Sequence, residues 1–284
     1  MSAGQPDPLL PTAEAASAEW ARRVRAHNEA PARVGLARSR DERWSSAVEA
    51  FTADPGRRDE PALEVLRALV RPGETWLDIG AGAGRYALPL ALVGANVVAV
   101  EPSKSMSDAL RAGLATHGIR NVTVIDEAWP MPRPPAVDVA FIAHVGYGSE
   151  EIGPFLDAME ESARRLCVAV MFPEAPSAAA DPFWAAVHGV ERESLPALRE
   201  FLVLQIARRR PFELRLVPRH PAVAPDAAAD LRFLRNHLRV EPGTPADLRL
   251  QQAIANLGAD AALIERRSPV GIVTWDPAPS LTAG

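Results

Sequence analysis

The chain has 284 residues with 31 basic and 36 acidic side chains, a net charge of −5. That length holds one large domain or a domain with an appendage, and the charge argues against a protein built chiefly to hold nucleic acid. A single cysteine, Cys167, excludes an internal disulfide and a cysteine-cluster metal site. No apolar run reaches the roughly 20 residues of a membrane span. The N-terminus lacks the basic-then-apolar plan of a signal peptide, so a soluble, cytoplasmic protein is expected. Lys104 is the only lysine, and with 27 prolines and abundant alanine this usage is attributed to a GC-rich genome.

Residues 1–13 are rich in Pro and Ala and read as a disordered tail. A helix is expected over 14–28, with Trp20 and Val24 on one side, and another over Asp41–Phe51, where Trp44, Val48 and Phe51 recur at helical spacing. Together, residues 1–58 form an N-terminal helical arm. Two roles are open to it: docking on the core through its aromatics, or covering the site as a lid. After the turn Asp54-Pro55-Gly56, the spacing predicts a helix over Glu60–Val70, with Pro61 in its first turn and Ala62, Val65, Leu66 and Leu69 inward. The second unit, residues 59–276, begins here; 277–284 are a tail.

The next stretch, Thr75–Ala91, reads TWLDIGAGAGRYALPLA. It is a short buried strand that reaches Asp78, a turn through Gly80, Gly82 and Gly84, and an apolar helix. Glycines let a ligand approach the main chain closely, and the helix start adds unpaired N–H groups. A dinucleotide fingerprint spaces its glycines G-x-G-x-x-G; here the third glycine comes one residue early and Arg85 takes its place. A carboxylate two residues before the first glycine would face a pyrophosphate badly but suits a ligand with an ammonium group. The pattern D-x-G-x-G-x-G resembles the first motif of the class I S-adenosylmethionine-dependent methyltransferases.

That resemblance implies a doubly wound, seven-stranded, mostly parallel α/β sheet, Rossmann-like in plan, and S-adenosyl-L-methionine as cofactor. Asp78 would hold the methionine amino group, and Gly80, Ala81 and Gly82 would bring backbone to the ligand. A second strand, Ala95–Val100, ends in Glu101, 23 residues beyond Asp78. A carboxylate there accepts hydrogen bonds from ribose hydroxyls, which matches the second family motif. Pro102 leads into a helix carrying Met106, Leu110 and Leu114; Met106 is open to packing on the adenine or in the core. The third strand, Val122–Ile125, ends in Asp126-Glu127. In the family this corner holds the adenine, and Asp126 is the matching acceptor, with Glu127 beside it. Ile125 departs from the family, where glycine is common. Trp129 is open to stacking at the adenine edge or covering the sheet.

The fourth strand is Val137–Ala143, with Asp138 near its start and His144-Val145-Gly146-Tyr147 at its carboxyl end. The resemblance places that turn near the cofactor's methionine part. It makes His144 a cofactor contact and the best general-base candidate, and Tyr147 a residue that shapes the substrate. A helix over Glu151–Leu166 and a fifth strand over Cys167–Phe172 follow. Phe183, Trp184 and His188 are open to lining a pocket or packing a core. Leu195–Ala207 reads as a helix closed by Arg208-Arg209-Arg210, taken as a solvated cap. After a sixth strand, Phe212–Val217, helices over Ala227–Arg239 and Ala246–Leu257 form an insertion, about 222–264, ahead of the last strand, Val270–Trp275.

The expectation for function is in-line methyl transfer from S-adenosylmethionine to a small-molecule acceptor, whose pocket the arm, the loop after the fifth strand and the insertion build. No Asn/Asp-Pro-Pro-aromatic motif follows the fourth strand, which lowers nucleobase amino groups as acceptors; a protein side chain stands next after a small molecule. No metal and no membrane partner are expected. Rival readings are a catalytically silent binding protein on the same fold and an NAD-dependent oxidoreductase. Against the latter stand Asp78, the displaced glycine and the lack of any Tyr-x-x-x-Lys pair in a chain with one lysine.

Overall fold

The computed structural model describes residues 10–36, 48, 52–219, 227–257 and 269–277. Seven strands form one sheet: β1 (Thr75–Ile79), β2 (Asn96–Val100), β3 (Val122–Ile125), β4 (Val137–Ala143), β5 (Ala163–Met171), β6 (Phe212–Val217) and β7 (Val270–Trp275). Their order is β3-β2-β1-β4-β5-β7-β6. The first five run parallel, and β7 is antiparallel to both neighbours. This is the doubly wound sheet expected from the sequence. Strands buried on both faces need continuous apolar runs, and VAFIA in β4 and CVAVM in β5 supply them.

Helices cover both faces. On one side, α1 (Ala13–Arg33), α5 (Ile152–Ser162) and α7 (Leu198–Ala207) close a core that includes Trp20, Leu77, Phe155, Phe201 and Trp275. On the other, α2 (Pro61–Leu69), α3 (Ala87–Leu92) and α4 (Lys104–His117) cover Trp76, Val97, Val139 and Phe141. A third cluster joins α6 (Asp181–His188), α8 (Ala227–Leu238) and α9 (Pro245–Leu257), with Ala30 of α1 packed into it. Phe183 and Trp184 lie inside this cluster, fully buried, and His188 meets the Leu238 carbonyl at 2.7 Å. Of the two roles open to these aromatics, the structure shows core packing.

The arm's first helix runs to Arg33, five residues past the expected end. It docks on the core: Trp20 Nε1 donates to the Ser149 carbonyl, and Arg23 to Glu200 and the Ser194 carbonyl. The helix expected over 41–51 lies outside the described residues except Val48, as do 222–226 and 258–264 of the insertion.

Two sequence expectations change. The helix expected to reach Leu166 stops at Ser162, and β5 starts at Ala163, where it pairs with Val137 of β4. Ala163 and Leu166 fit an inward helical stripe, but the same burial suits a strand, and the parallel ladder captures them. The Arg208–Arg210 triplet is no solvated cap. Arg208 and Arg210 both bond Glu160, which is 3% exposed, and Trp275 Nε1 donates to the same carboxylate. Removing a buried charge leaves its partners uncompensated. Glu160→Leu is therefore expected to destabilise the protein by roughly 3–5 kcal/mol in urea unfolding; a cost below about 1 kcal/mol would show that solvent already screens the cluster.

Candidate functional site

The carboxyl ends of β1, β2 and β4 meet where the strand order reverses, the edge at which open α/β sheets take ligands. The glycine turn is stitched into this edge. Gly80 N–H and Ala81 N–H both donate to the Val100 carbonyl, at 2.8 and 3.2 Å. Gly80, Gly82 and Gly84 all have positive φ. A Cβ at Gly80 would lie 2.7 Å from Val145 Cγ2, so the glycine lets the β4 turn pack directly on the loop. At Gly82 (φ +54°) a Cβ would meet nothing within 4 Å, so the space beside it is open.

Asp78 and Glu101 sit together beneath this turn. Asp78 is 2% exposed; it receives the Ala87 N–H, and its Oδ2 has no partner. Burial, and then the neighbouring Glu101 charge, hold its carboxyl well above the usual range. Glu101 is 7% exposed and accepts Gly82 N–H at 2.9 Å and Ser103 N–H at 2.8 Å. A carboxylate accepts roughly four hydrogen bonds, and these two aim Glu101 between the glycine turn and the start of α4. Pro102 is exposed and Met106 is buried on α4.

Asp126 and Glu127 lie at the same edge one strand further out, both exposed. Asp126 pairs with Arg111 of α4 at 2.8 Å, and that bond, with a second from Ser107, lowers its pKa. Trp129 is anchored away from a free role, its Nε1 donating to the Phe155 carbonyl and its ring set edge-on to Phe155.

On the β4 side, His144 has φ 58° and stacks on Phe172, centroids 4.0 Å apart. The residue keeps some exposure, but Nδ1 is buried without a partner. Nε2 lies 3.3 Å from Tyr86 Oη, and Tyr86 in turn bonds Glu60 Oε1 at 2.5 Å. Burial, with a smaller push from Arg85 and Arg219 against an opposing pull from Glu60, takes His144 down to about 3. Tyr147 is 5% exposed, and its hydroxyl accepts the Phe172 N–H at 2.8 Å; that bond ties the β4 turn to the end of β5.

Sequence reasoning missed Glu60, Arg57, Arg85, Tyr86, Phe172 and Arg219. Arg57 and Arg85 both bond Glu60 at 2.8 Å, and the Arg219 guanidinium lies 4.4 Å from the Phe172 ring centre. The signal was faint: Arg85-Tyr86 directly after the glycine run, and Glu60 just ahead of a proline-led helix. A cleft of about 430 Å³ opens beyond Phe172, lined among others by Arg23, Pro173, Asp181, Arg192 and Glu200. Arm, post-β5 loop and α6 meet there. Among the described residues no His/Cys/Asp/Glu group is arranged to hold a metal.

A family model described as a methyltransferase domain matches residues 77–166, from β1 into β5. Over residues 77–166 the chain is thus similar to a methyltransferase domain. The chain is similar to the 23S rRNA (uracil(1939)-C(5))-methyltransferase of Shewanella sp. MR-4, 30% identical over 92 residues, covering 29% of this chain and 20% of that protein. It is also similar to the protein-L-isoaspartate O-methyltransferase of Methylorubrum populi, 41% identical over 58 residues, 20% of this chain and 27% of the other. The chain thus spans only a fifth to about a quarter of these curated relatives. In fold it resembles a Geobacter sulfurreducens S-adenosylmethionine-dependent methyltransferase solved with S-adenosyl-L-homocysteine: TM-score 0.54, 17% identity, covering 83% of this chain and 98% of that one.

Two stability measurements check the geometry of this edge. Gly80→Ala combines a left-handed backbone with a clash on Val145 and should cost roughly 2–4 kcal/mol. Gly82→Ala meets open space and should cost only about 1–2 kcal/mol; equal costs in chemical denaturation would contradict the open cradle. Asp78→Asn tests the buried carboxyl. A folded pKa above the unfolded value of about 3.9 means the group's contribution is present at low pH and lost as pH rises through the folded value. Ionised Asp78 therefore burdens the ligand-free fold at neutral pH. The variant should melt at or above the wild-type temperature at pH 7; a clear drop would refute the assignment.

Proposed function

We propose that this protein transfers the methyl group of S-adenosyl-L-methionine to a small-molecule acceptor. The observation that carries the reading is the pair of buried carboxylates under an open glycine cradle, one of them with an oxygen left unsatisfied. Buried polar atoms are normally paired, and a carboxyl held near a second acid gains most from a cationic partner. Asp78 Oδ2 fits the ammonium of the methionine moiety. Glu101 fits the ribose hydroxyls, and the Gly82 backbone leaves room for the sugar to approach. In this reading Asp126, Glu127, Pro102 and Met106 would line the adenine, with Asp126 the acceptor for its amino group once Arg111 shares it. Bound S-adenosylmethionine supplies an electrophilic methyl on a positive sulfur.

The chain's own residues then have three tasks: to hold the acceptor in line, to exclude water and to receive any proton it loses. The β4 turn, with His144 and with Tyr147 packed behind it, supports the first two. The cleft beyond Phe172 is of a size for a small molecule. The relatives' names give a ribosomal RNA and a protein as acceptors, but these likenesses cover only 29% and 20% of this chain. No helix among the described residues is long and apolar enough to cross a membrane.

Titration calorimetry with S-adenosylmethionine and S-adenosylhomocysteine tests the reading directly. Wild type should bind both, and Glu101→Ala should bind at least tenfold more weakly, as expected for a lost ribose clasp worth about 1.4 kcal/mol or more. Absence of binding by the wild type would refute the cofactor assignment, and unchanged affinity in Glu101→Ala would refute the ribose role.

A further inference from the structure

We propose that Glu60 and Tyr86 fix His144 in the tautomer with the proton on Nε2, so that its Nδ1 lone pair receives the hydroxyl hydrogen of the methyl acceptor. This rests on the methyl-transfer reading above and adds to it two positioning residues and an acceptor class.

The argument is one of hydrogen counting. A phenol has one hydrogen to donate. Tyr86 Oη is 2.5 Å from Glu60 Oε1, and a neutral hydroxyl that close to a carboxylate donates to it. Glu60 stays ionised: burial works against its charge, but Arg85, the Tyr86 bond and Arg57 outweigh burial and lower its pKa. Burial, and after it Glu60, raises the Tyr86 hydroxyl far above its ordinary value, so Tyr86 keeps its proton. With that proton committed to Glu60, the contact from His144 Nε2 at 3.3 Å satisfies both groups only if Nε2–H donates to the phenolic oxygen. The neutral imidazole then carries its lone pair on Nδ1, which is buried and without a partner.

Three further contacts hold the ring in place. Phe172 stacks on it at an interplanar angle of 14°. The backbone N–H of His144 donates to the Val170 carbonyl at 2.8 Å. The left-handed backbone, φ 58°, is a conformation that non-glycine residues adopt at a cost and that persists where surrounding structure enforces it. Glu60 is itself anchored by Arg57 and Arg85, and Arg57 also donates to the Arg85 carbonyl. The segment before α2 is thereby tied to the glycine turn and, through Tyr86, to the β4 turn.

The bare nitrogen of the ring suits a hydroxyl acceptor. The bare Nδ1 lone pair has room for one hydrogen, and a hydroxyl offers one. A hydroxyl attacks while neutral. As the oxygen–methyl bond forms, the sulfur–carbon bond breaks with its electron pair going to sulfur. The oxygen becomes strongly acidic, and its proton passes to Nδ1. Even a weak base suffices for that, and the charge it acquires is balanced through Tyr86 by Glu60. The imidazolium returns the proton to solvent after product leaves.

Nitrogen-15 NMR of histidine-labelled protein tests this, with the His144 signal identified by its loss in His144→Asn. Wild type should show Nε2 protonated and Nδ1 bare. Tyr86→Phe, which keeps the ring and removes the hydroxyl, should give a mixed or reversed tautomer while binding S-adenosylmethionine within about threefold of wild type. A protonated Nδ1 in the wild type, or a tautomer unmoved by Tyr86→Phe, overturns the proposal even if the cofactor binds. Failure of the wild type to bind the cofactor overturns the methyl-transfer reading itself. Turnover on paired phenols and benzylamines should favour the phenol; methylation of the amine alone would overturn the acceptor class.

Discussion

The site depends on a carboxylate pair that the fold buries almost completely. Asp78 is buried at the end of a strand with one oxygen unsatisfied, and Glu101 sits beside it with both oxygens held by backbone N–H groups. Two like charges in one apolar environment are costly. The fold tolerates them because β1 and β2 are neighbours and the glycine turn between β1 and α3 is bonded to the end of β2. A cationic ligand head relieves the cost, and this is the physical link between fold and proposed function.

The second half of the edge is organised around a different carboxylate. Glu60 collects Arg57, Arg85 and Tyr86, and through Tyr86 it reaches His144. The two halves differ in charge logic. Near Asp78 the acids are short of cations, whereas around Glu60 the cations exceed the acids, with Arg219 nearby on Phe172. A ligand with a positive end and a neutral, hydroxyl-bearing partner suits that division.

The appended helices are built as a separate small core. Phe183, Trp184, Leu234, Leu238 and Leu250 pack together. Arg192 lies 4.0 Å from the Trp184 ring centre and pairs with Asp181. Burial raises the Asp181 carboxyl despite that partner. This core meets the sheet through α1 and the loop after β5, which places the cleft beyond Phe172 at the junction. Acceptor choice would be set at such a junction, where neither core alone defines the walls.

Much was legible in the sequence because local pattern and tertiary role coincide there. Strand, glycine turn and helix over Thr75–Ala91 have one stable arrangement, and the acid ending the next strand must lie beside the first because consecutive parallel strands pair. Asp78, Gly82 and Glu101 could therefore be named without coordinates. The boundary between α5 and β5 could not, since Ala163 and Leu166 satisfy either periodicity and only the ladder with β4 decides. The triplet Arg208–Arg210 looked solvated because its partner, Glu160, lies about fifty residues earlier on another element. Glu60, Tyr86 and His144 are far apart in the chain and share no spacing rule. Their hydrogen-bonded chain exists only because α2, the glycine turn and β4 converge on one edge, and convergence of that kind is a property of three-dimensional packing, not of sequence pattern.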